Sequence, residues 1–252
     1  ATKVVGIGVS ESGLFFSRAG WLDPRALCHS YLALAQSHFD QLYNKEAFTI
    51  RHDGSYWQIL DIGGVEIARA NKIILSCADQ CGAFLGAQPL PLEKVRGQLL
   101  YLRPPESIAS LKCIISYGGY TIPIDSENFL LGASYEHNTE NESFSLERAR
   151  EILHDLRRRI VSGQDLPDTV SDGRVCFRTT TPDNLPVIGP LQLHGSPSLY
   201  LSVAHGSRGV MTSAIAAKMI VGQLSGDESL QSKWNPLVSY ERLARFSSLK
   251  LQ

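Results

Sequence analysis

The chain has 252 residues, of which 43% are hydrophobic and 19% charged, with a formal net charge of −1. A polypeptide of this size hides roughly three-quarters of its unfolded surface, so a substantial core is expected. The near-neutral balance makes no electrostatic case for a nucleic-acid binder, so any RNA contact would need a local patch, and the short apolar runs fall far short of a membrane-spanning helix of about 20 residues.

Trp21 to Phe39 reads as a helix, with Asp23 at the N-cap, Pro24 in the first helical position, and Leu27, Tyr31 and Leu34 at helical spacing. Three extended runs follow, Phe48–Arg51, Tyr56–Asp61 and Val65–Arg69. The turn signals His52-Asp53-Gly54 and Gly63-Gly64 split them into a β-meander. Lys72–Ser76 is almost continuously apolar, which predicts a strand of a parallel sheet buried on both faces. From Leu90 to about Asp172 the pattern changes to a second, inserted domain. It starts with the strand Val95–Leu102 and continues with a hairpin, Tyr120–Ile124 and Asn128–Ser134, across Asp125-Ser126-Glu127. Ser145 then caps an amphipathic helix bearing Leu146, Ala149, Leu153, Leu156 and Ile160 on one face. The α/β pattern returns at the end, where the strand Leu199–Val203 runs into His205-Gly206-Ser207-Arg208-Gly209 and a small-residue helix, Val210 to Leu224.

That last strand–turn–helix is the first place to look for chemistry, because open α/β sheets hold ligands beyond the carboxyl ends of their strands. Gly206 and Gly209 let a flat ligand approach the backbone. The free amides and positive end of the following helix favour an electron-rich partner, and Arg208 adds a cation. By itself the turn reads equally well as ordinary glycine punctuation. Thr181-Pro182-Asp183-Asn184-Leu185-Pro186-Val187-Ile188-Gly189-Pro190 reads alone as a rigid turn into a short buried strand. Arg157-Arg158-Arg159, with Arg148 and Arg150 upstream, is either a solvated helix face or a patch for phosphate contacts. His205 beside the turn reads as structural before it reads as a base. Cys77 and Cys81 are separated by three residues, fit neither a redox nor a zinc motif, and are expected, with Cys28, Cys113 and Cys176, to be inert reduced thiols; no metal site is predicted. Gly6-Ile7-Gly8 with Gly13 has the wrong spacing for a dinucleotide fingerprint.

Taken together and in order, these motifs carry more than each does alone. The Thr-Pro-Asp-x-Leu-Pro-x-Ile-Gly-Pro segment, followed by a strand, Gly206-Ser207-Arg208-Gly209 and a helix, resembles the C-terminal signature of the D-amino-acid-oxidase-type flavoprotein superfamily. Arg96-Gly97-Gln98 matches that group's strand into its substrate domain. Within the group, Gly13 to Cys28, Gly118 to Pro123 and Leu131 to Glu136 look like the FAD domain of the MnmC family of bifunctional tRNA wobble-uridine enzymes. The sequence departs from that pattern in lacking the opening strand, G-x-G-x-x-G and helix, and in carrying Cys77-Ala78-Asp79 where Ala-x-Gly is usual.

The resemblance implies an α/β and α+β fold: a truncated FAD-binding Rossmann-type domain with an inserted mixed-sheet substrate domain. Residues 21–89 and 173–225 would form the FAD-binding part and residues 90–172 the substrate domain, with residues 1–20 packing on the latter and 226–252 as a tail. It implies FAD as cofactor, held by Gly206, Ser207, Arg208, Gly209 and Val210. It also implies oxidative removal of the carboxymethyl group from 5-carboxymethylaminomethyl-(2-thio)uridine in tRNA. Arg178, or else Arg208, would take the substrate carboxylate, and Arg157 and Arg158 would serve tRNA. A methyltransferase domain would be covalently linked in the full-length protein. Two other functions fit the same residues: a glycine- or sarcosine-type amine oxidase, and a catalytically silent tRNA-binding fragment. No leader opens the sequence, so a cytoplasmic location is expected, and the start at Ala1 points to a fragment.

Overall fold

A computed structural model describes residues 1–86, 90–161, 165–193, 196–227, 229 and 231–250. The chain opens with a one-turn helix α1 (Thr2–Val5) and a longer α2 (Pro24–Ala35). Next come the meander strands β1 (Thr49–His52), β2 (Trp57–Leu60) and β3 (Glu66–Ala70), then β4 (Ile73–Leu75) and the one-turn α3 (Cys81–Phe84). The central region holds β5 (Glu93–Leu102), α4 (Glu106–Ala109), β6 (Ile115–Ser116), β7 (Tyr120–Pro123), β8 (Phe129–Gly132), β9 (Glu136–His137) and α5 (Leu146–Arg157). The chain continues through β10 (Gly173–Thr180), β11 (Val187–Leu193), β12 (Ser196–Val203), α6 (Gly209–Ser225) and α7 (Gln231–Val238). A terminal 3₁₀ segment covers Glu241–Lys250. No described helix is long and apolar enough to cross a membrane. These elements cluster into two compact units, residues 1–34 with 95–177 and residues 35–94 with 178–252.

The unit of residues 1–34 and 95–177 is built on a sheet of order β10-β5-β8-β7-β6, with β9 also paired to β5. The β7–β8 hairpin forms as expected: Asp125 accepts the Glu127 amide at 2.8 Å and closes the turn. Ser145 accepts the Arg148 amide at 3.3 Å, so α5 starts where its cap predicts. The apolar side of α5 (Ala149, Ile152, Leu153, Leu156) joins Leu100, Phe129 and Leu131 of the sheet in one core. The Arg96-Gly97-Gln98 segment has a structural task here. Gln98 is fully buried, and its side-chain amide pairs with both backbone groups of Ser145 at 2.8 Å. Arg96, 2% exposed, donates to the Asn141 and Ser143 carbonyls at 2.7 and 2.6 Å and pairs with Glu136. Burial alone would raise the Glu136 carboxyl, but Ser134, Arg96 and Arg148 outweigh it and hold the group below its ordinary value. Thus a polar cluster fastens the start of α5 to β5.

Helix α2 takes the expected position, and Asp23 accepts the Arg25 amide at 2.8 Å. None of its residues is buried, however, and Tyr31 and Leu34 are exposed, as are Leu14, Phe15 and Phe16. Gly6, expected to be useless as a dinucleotide glycine, has a packing reason instead: at φ 92° it lies so close to the Ser110 carbonyl that a Cβ would sit 2.3 Å from it.

The unit of residues 35–94 and 178–252 contains the meander, order β1-β2-β3, and a second sheet of order β11-β12-β4. Asp53 and Asp61 fold the two meander turns by accepting amides at 2.8–3.0 Å, from Ser55 and Tyr56 and from Val65. In the second sheet β12 is antiparallel to β11 and parallel to β4. One face packs Leu199, Leu201, Val203, Ile73 and Leu75 against Trp57 and Ile50 of the meander. On the other face, Ile188 and Tyr200 meet Ala216, Met219 and Ile220 of α6 and Val238 of α7. The strand expected at Lys72–Ser76 is parallel as predicted but is not covered on both faces. Ile73 and Leu75 are buried while Ile74 is 47% exposed, because α6 packs on β11 and β12 and leaves the β4 edge bare.

Candidate functional site

The register Leu201 to Leu75 sends β12 and β4 out of the sheet side by side at their carboxyl ends. Beyond β12 the backbone turns sharply: Ala204 and Gly206 have φ of 60° and 55°. A single 3₁₀ turn, Gly206–Arg208, then leads into α6. Glycine at 206 suits its left-handed backbone, which strains a residue with a Cβ. Packing does not demand it, since an added Cβ would lie in ordinary contact, 3.7 Å from the Thr180 hydroxyl. Gly209 has an ordinary helical φ of −52°, and an added Cβ there would lie in ordinary contact, 3.5 Å from the His205 Cβ.

No side chain caps α6, so its first amides keep their capacity to meet a ligand. Ser207, Arg208 and Val210 are exposed, and the Arg208 guanidinium has no ion-pair partner among the described residues. Uncapped donors, the positive end of a 17-residue helix and an open cation all favour negative charge at one point.

His205 braces this turn through both ring nitrogens. Its Nε2 lies 3.1 Å from the Ser202 hydroxyl and its Nδ1 lies 2.8 Å from the Thr212 hydroxyl. Burial lowers its pKa, a bond to Ser202 opposing, so the ring is neutral near pH 7 with both nitrogens engaged. Thr212 in turn donates to the Arg208 carbonyl at 3.1 Å.

Arg178 lies on β10 two residues before Thr180, so strand alternation puts both on one face of that strand. Thr180 is the residue that faces the Gly206 turn. The segment after it is held rigidly. Asp183 accepts from Thr181 at 2.7 Å and from Leu185 at 3.2 Å, and it receives Arg242 at 3.0 Å and Arg245 at 2.6 Å. Burial would raise this carboxyl, but Arg242 and Thr181 drive it well below the ordinary carboxylate range. Arg242 is 4% exposed and also donates to the Leu185 carbonyl at 2.6 Å. Sequence reading missed this clamp, since it joins positions 59 residues apart.

The basic run behaves differently from the open turn. Arg157 ends α5 and donates to the Leu166 and Pro167 carbonyls at 2.6 and 2.9 Å, with Asp168 beside it. Arg158 pairs with Asp155, Arg159 with Glu11, and Arg148 with Glu136 and Glu151. Arg150 alone of the five has no ion-pair partner among the described residues. No cluster of three or more metal-ligating side chains occurs among the described residues.

A family model described as FAD dependent oxidoreductase, DAO, matches residues 3–223. The chain belongs to this family. It is 33% identical over 256 residues to the tRNA 5-methylaminomethyl-2-thiouridine biosynthesis bifunctional protein MnmC of Ectopseudomonas mendocina. It is 29% identical over 250 residues to the protein of that name from Paraburkholderia phytofirmans. These alignments take in 89% and 90% of the chain but only 38% of either relative. Among solved structures, the fold is similar to iminodiacetate oxidase from Chelativorans sp. BNC1, with a TM-score of 0.67, 22% identity, and coverage of 81% of this chain and 55% of that one. Glycine oxidase from Geobacillus kaustophilus is also similar, at a TM-score of 0.62, 19% identity and coverage of 73% and 49%. The chain is therefore a member of the FAD dependent oxidoreductase family with a mixed α/β architecture. The uncapped start of α6 and the exposed Arg208 are compatible with an anionic or electron-rich group of such a cofactor.

Proposed function

We propose that these residues form the oxidase part of a tRNA-modifying enzyme, and that it removes the carboxymethyl group from 5-carboxymethylaminomethyl-(2-thio)uridine at the wobble position. Bound FAD supplies the two-electron acceptor for the carbon–hydrogen bond next to the substrate nitrogen. Hydrolysis of the resulting imine releases glyoxylate and leaves the 5-aminomethyl nucleoside. The backbone of Gly206, Ser207, Arg208, Gly209 and Val210 would hold the flavin, and the uncapped start of α6 would stabilise negative charge on it. Arg178 takes the substrate carboxylate as a bidentate partner; Arg208 serves the ring. His205 keeps the turn in shape.

In the domain terms of this reading, residues 21–89 and 173–225 belong to the FAD-binding part and residues 90–172 to the substrate domain. Arg150 and Arg158 contribute what phosphate attraction the α5 region offers, while Arg157 is occupied by backbone carbonyls. A linked methyltransferase and a cytoplasmic site of action accompany the reading.

The observation that carries it is the open, uncapped turn at residues 206–210, in a chain whose relatives bear a tRNA-thiouridine name. Mass analysis of nucleosides tests it: with added FAD, the chain should convert the carboxymethylaminomethyl nucleoside of substrate tRNA to the aminomethyl form and release glyoxylate. Peroxide release from free glycine or sarcosine with tRNA untouched would replace this reading with that of a small-molecule oxidase. Salt-dependent tRNA binding without flavin or turnover would replace it with a silent binding module.

A further inference from the structure

Cys77 and Cys81 have no part in the chemistry above, yet their sulfurs lie 3.2 Å apart. The turn between them brings this about. Ala78 takes a left-handed φ of 52°, the Gln80 amide donates to the Cys77 carbonyl at 3.0 Å, and the Cys81 amide bonds to the Ala78 and Asp79 carbonyls. The two thiols differ sharply in access. Cys77 is exposed, whereas Cys81 is fully buried in the core beside Ile73 and Leu75. Burial pushes the Cys81 thiol up to about 12, so it stays protonated at neutral pH. A disulfide requires sulfurs about 2.05 Å apart. The remaining gap of roughly 1 Å is within the reach of side-chain torsions when the turn already faces the sulfurs together.

We propose that Cys77 and Cys81 form a peroxide-responsive dithiol, in which Cys77 is oxidised first and Cys81 closes the disulfide. In the first step the Cys77 thiolate attacks one oxygen of a hydroperoxide. The oxygen–oxygen bond breaks, leaving Cys77 as a sulfenic acid and releasing hydroxide, which is protonated to water. In the second step the Cys81 sulfur attacks the Cys77 sulfur and the sulfur–oxygen bond breaks. The departing hydroxyl takes the Cys81 proton and leaves as water. Two thiols lose two electrons and one hydroperoxide gains them.

The pair sits where such an oxidant would matter. Cys77 is two residues past Leu75 and Val203 is two past Leu201, so the dithiol turn and the Gly206 turn leave adjacent parallel strands at one end of the sheet. Reoxidation of reduced flavin by dioxygen yields hydrogen peroxide. Only the source of the oxidant rests on the proposed oxidase activity; the dithiol geometry does not.

The test therefore adds the oxidant from outside. The 252-residue chain is treated with a slight excess of hydrogen peroxide, the remaining thiols are blocked, and tryptic peptides are mapped. The peptide from Ile73 to Lys94 holds both cysteines and should lose two hydrogen masses and resist alkylation. Reduction with dithiothreitol should restore both thiols, and the exposed Cys28 and Cys176 should remain alkylatable. Cys81→Ser should leave a Cys77 sulfenic acid that dimedone captures, and Cys77→Ser should leave Cys81 unmodified. If Cys81→Ser does not fold, the map of the unsubstituted chain decides alone. Full alkylation of both residues after peroxide, or oxygen adducts at Cys77 with no internal disulfide, overturns the proposal.

Discussion

The arginines around α5 and the arginine at the start of α6 show two opposite uses of one side chain. Arg96, Arg148, Arg157, Arg158 and Arg159 meet carboxylates or backbone carbonyls inside their own unit. Arg208 lies at an uncapped helix start with no ion-pair partner among the described residues. Charge already satisfied by the fold does little for a ligand, while charge and amides left unsatisfied at one point lower the energy of an anion that arrives there. Density of basic residues along the sequence is thus a poor guide to a site; unspent hydrogen-bonding capacity is a better one.

The sharpest way to break this contrast is to remove a satisfied charge. Arg96→Ala would leave Glu136 and the Asn141 and Ser143 carbonyls without their donor, and should destabilise the chain by about 3–5 kcal/mol in urea unfolding. A loss below ~1 kcal/mol would mean that the cluster is not what anchors α5.

Asp183→Asn should cost slightly less, about 2–4 kcal/mol, since the amide keeps one acceptor for Thr181 and Arg242. Its pH signature is distinctive. The folded carboxyl lies below its unfolded value of about 3.9, so its stabilisation is complete above that pH and is lost as the pH falls toward the folded value. The unsubstituted chain should therefore lose stability on acidification below about pH 4 more steeply than Asp183→Asn does. Parallel melting-temperature curves across that range would contradict the clamp.

Gly206→Ala should have a smaller effect on folding, about 1–2 kcal/mol from the left-handed backbone, since the added Cβ finds room. Flavin retention should suffer more than the melting temperature does, which a titration alongside a melt would show. A variant equally destabilised and fully flavin-competent would assign Gly206 to turn geometry alone.

Much of the fold was legible because it is written in local chemistry. The Ser145 cap, the Asp53 and Asp61 turns, the β7–β8 hairpin and the strand into Gly206 depend on residues a few positions apart. Ile74 was misread because an apolar run looks the same whether one face of a strand is covered or two. Partnerships over long separations left no local sign: Arg242 with Asp183, or Arg159 with Glu11. Cys77 and Cys81 escaped for another reason. Their spacing matches no redox motif, and what joins them is a positive φ at Ala78, where an alanine gives no warning of it.

In the proposed function, residues 206–210 face a ring whose negative charge grows on reduction. The measurement that bears on it most directly is the midpoint potential of flavin bound to the chain, set against free flavin and against Arg208→Gln. Stabilisation of the reduced form predicts a potential above that of free flavin, falling toward it in Arg208→Gln while the melting temperature stays unchanged. A bound potential equal to or below the free value, with no response to Arg208, would contradict the account.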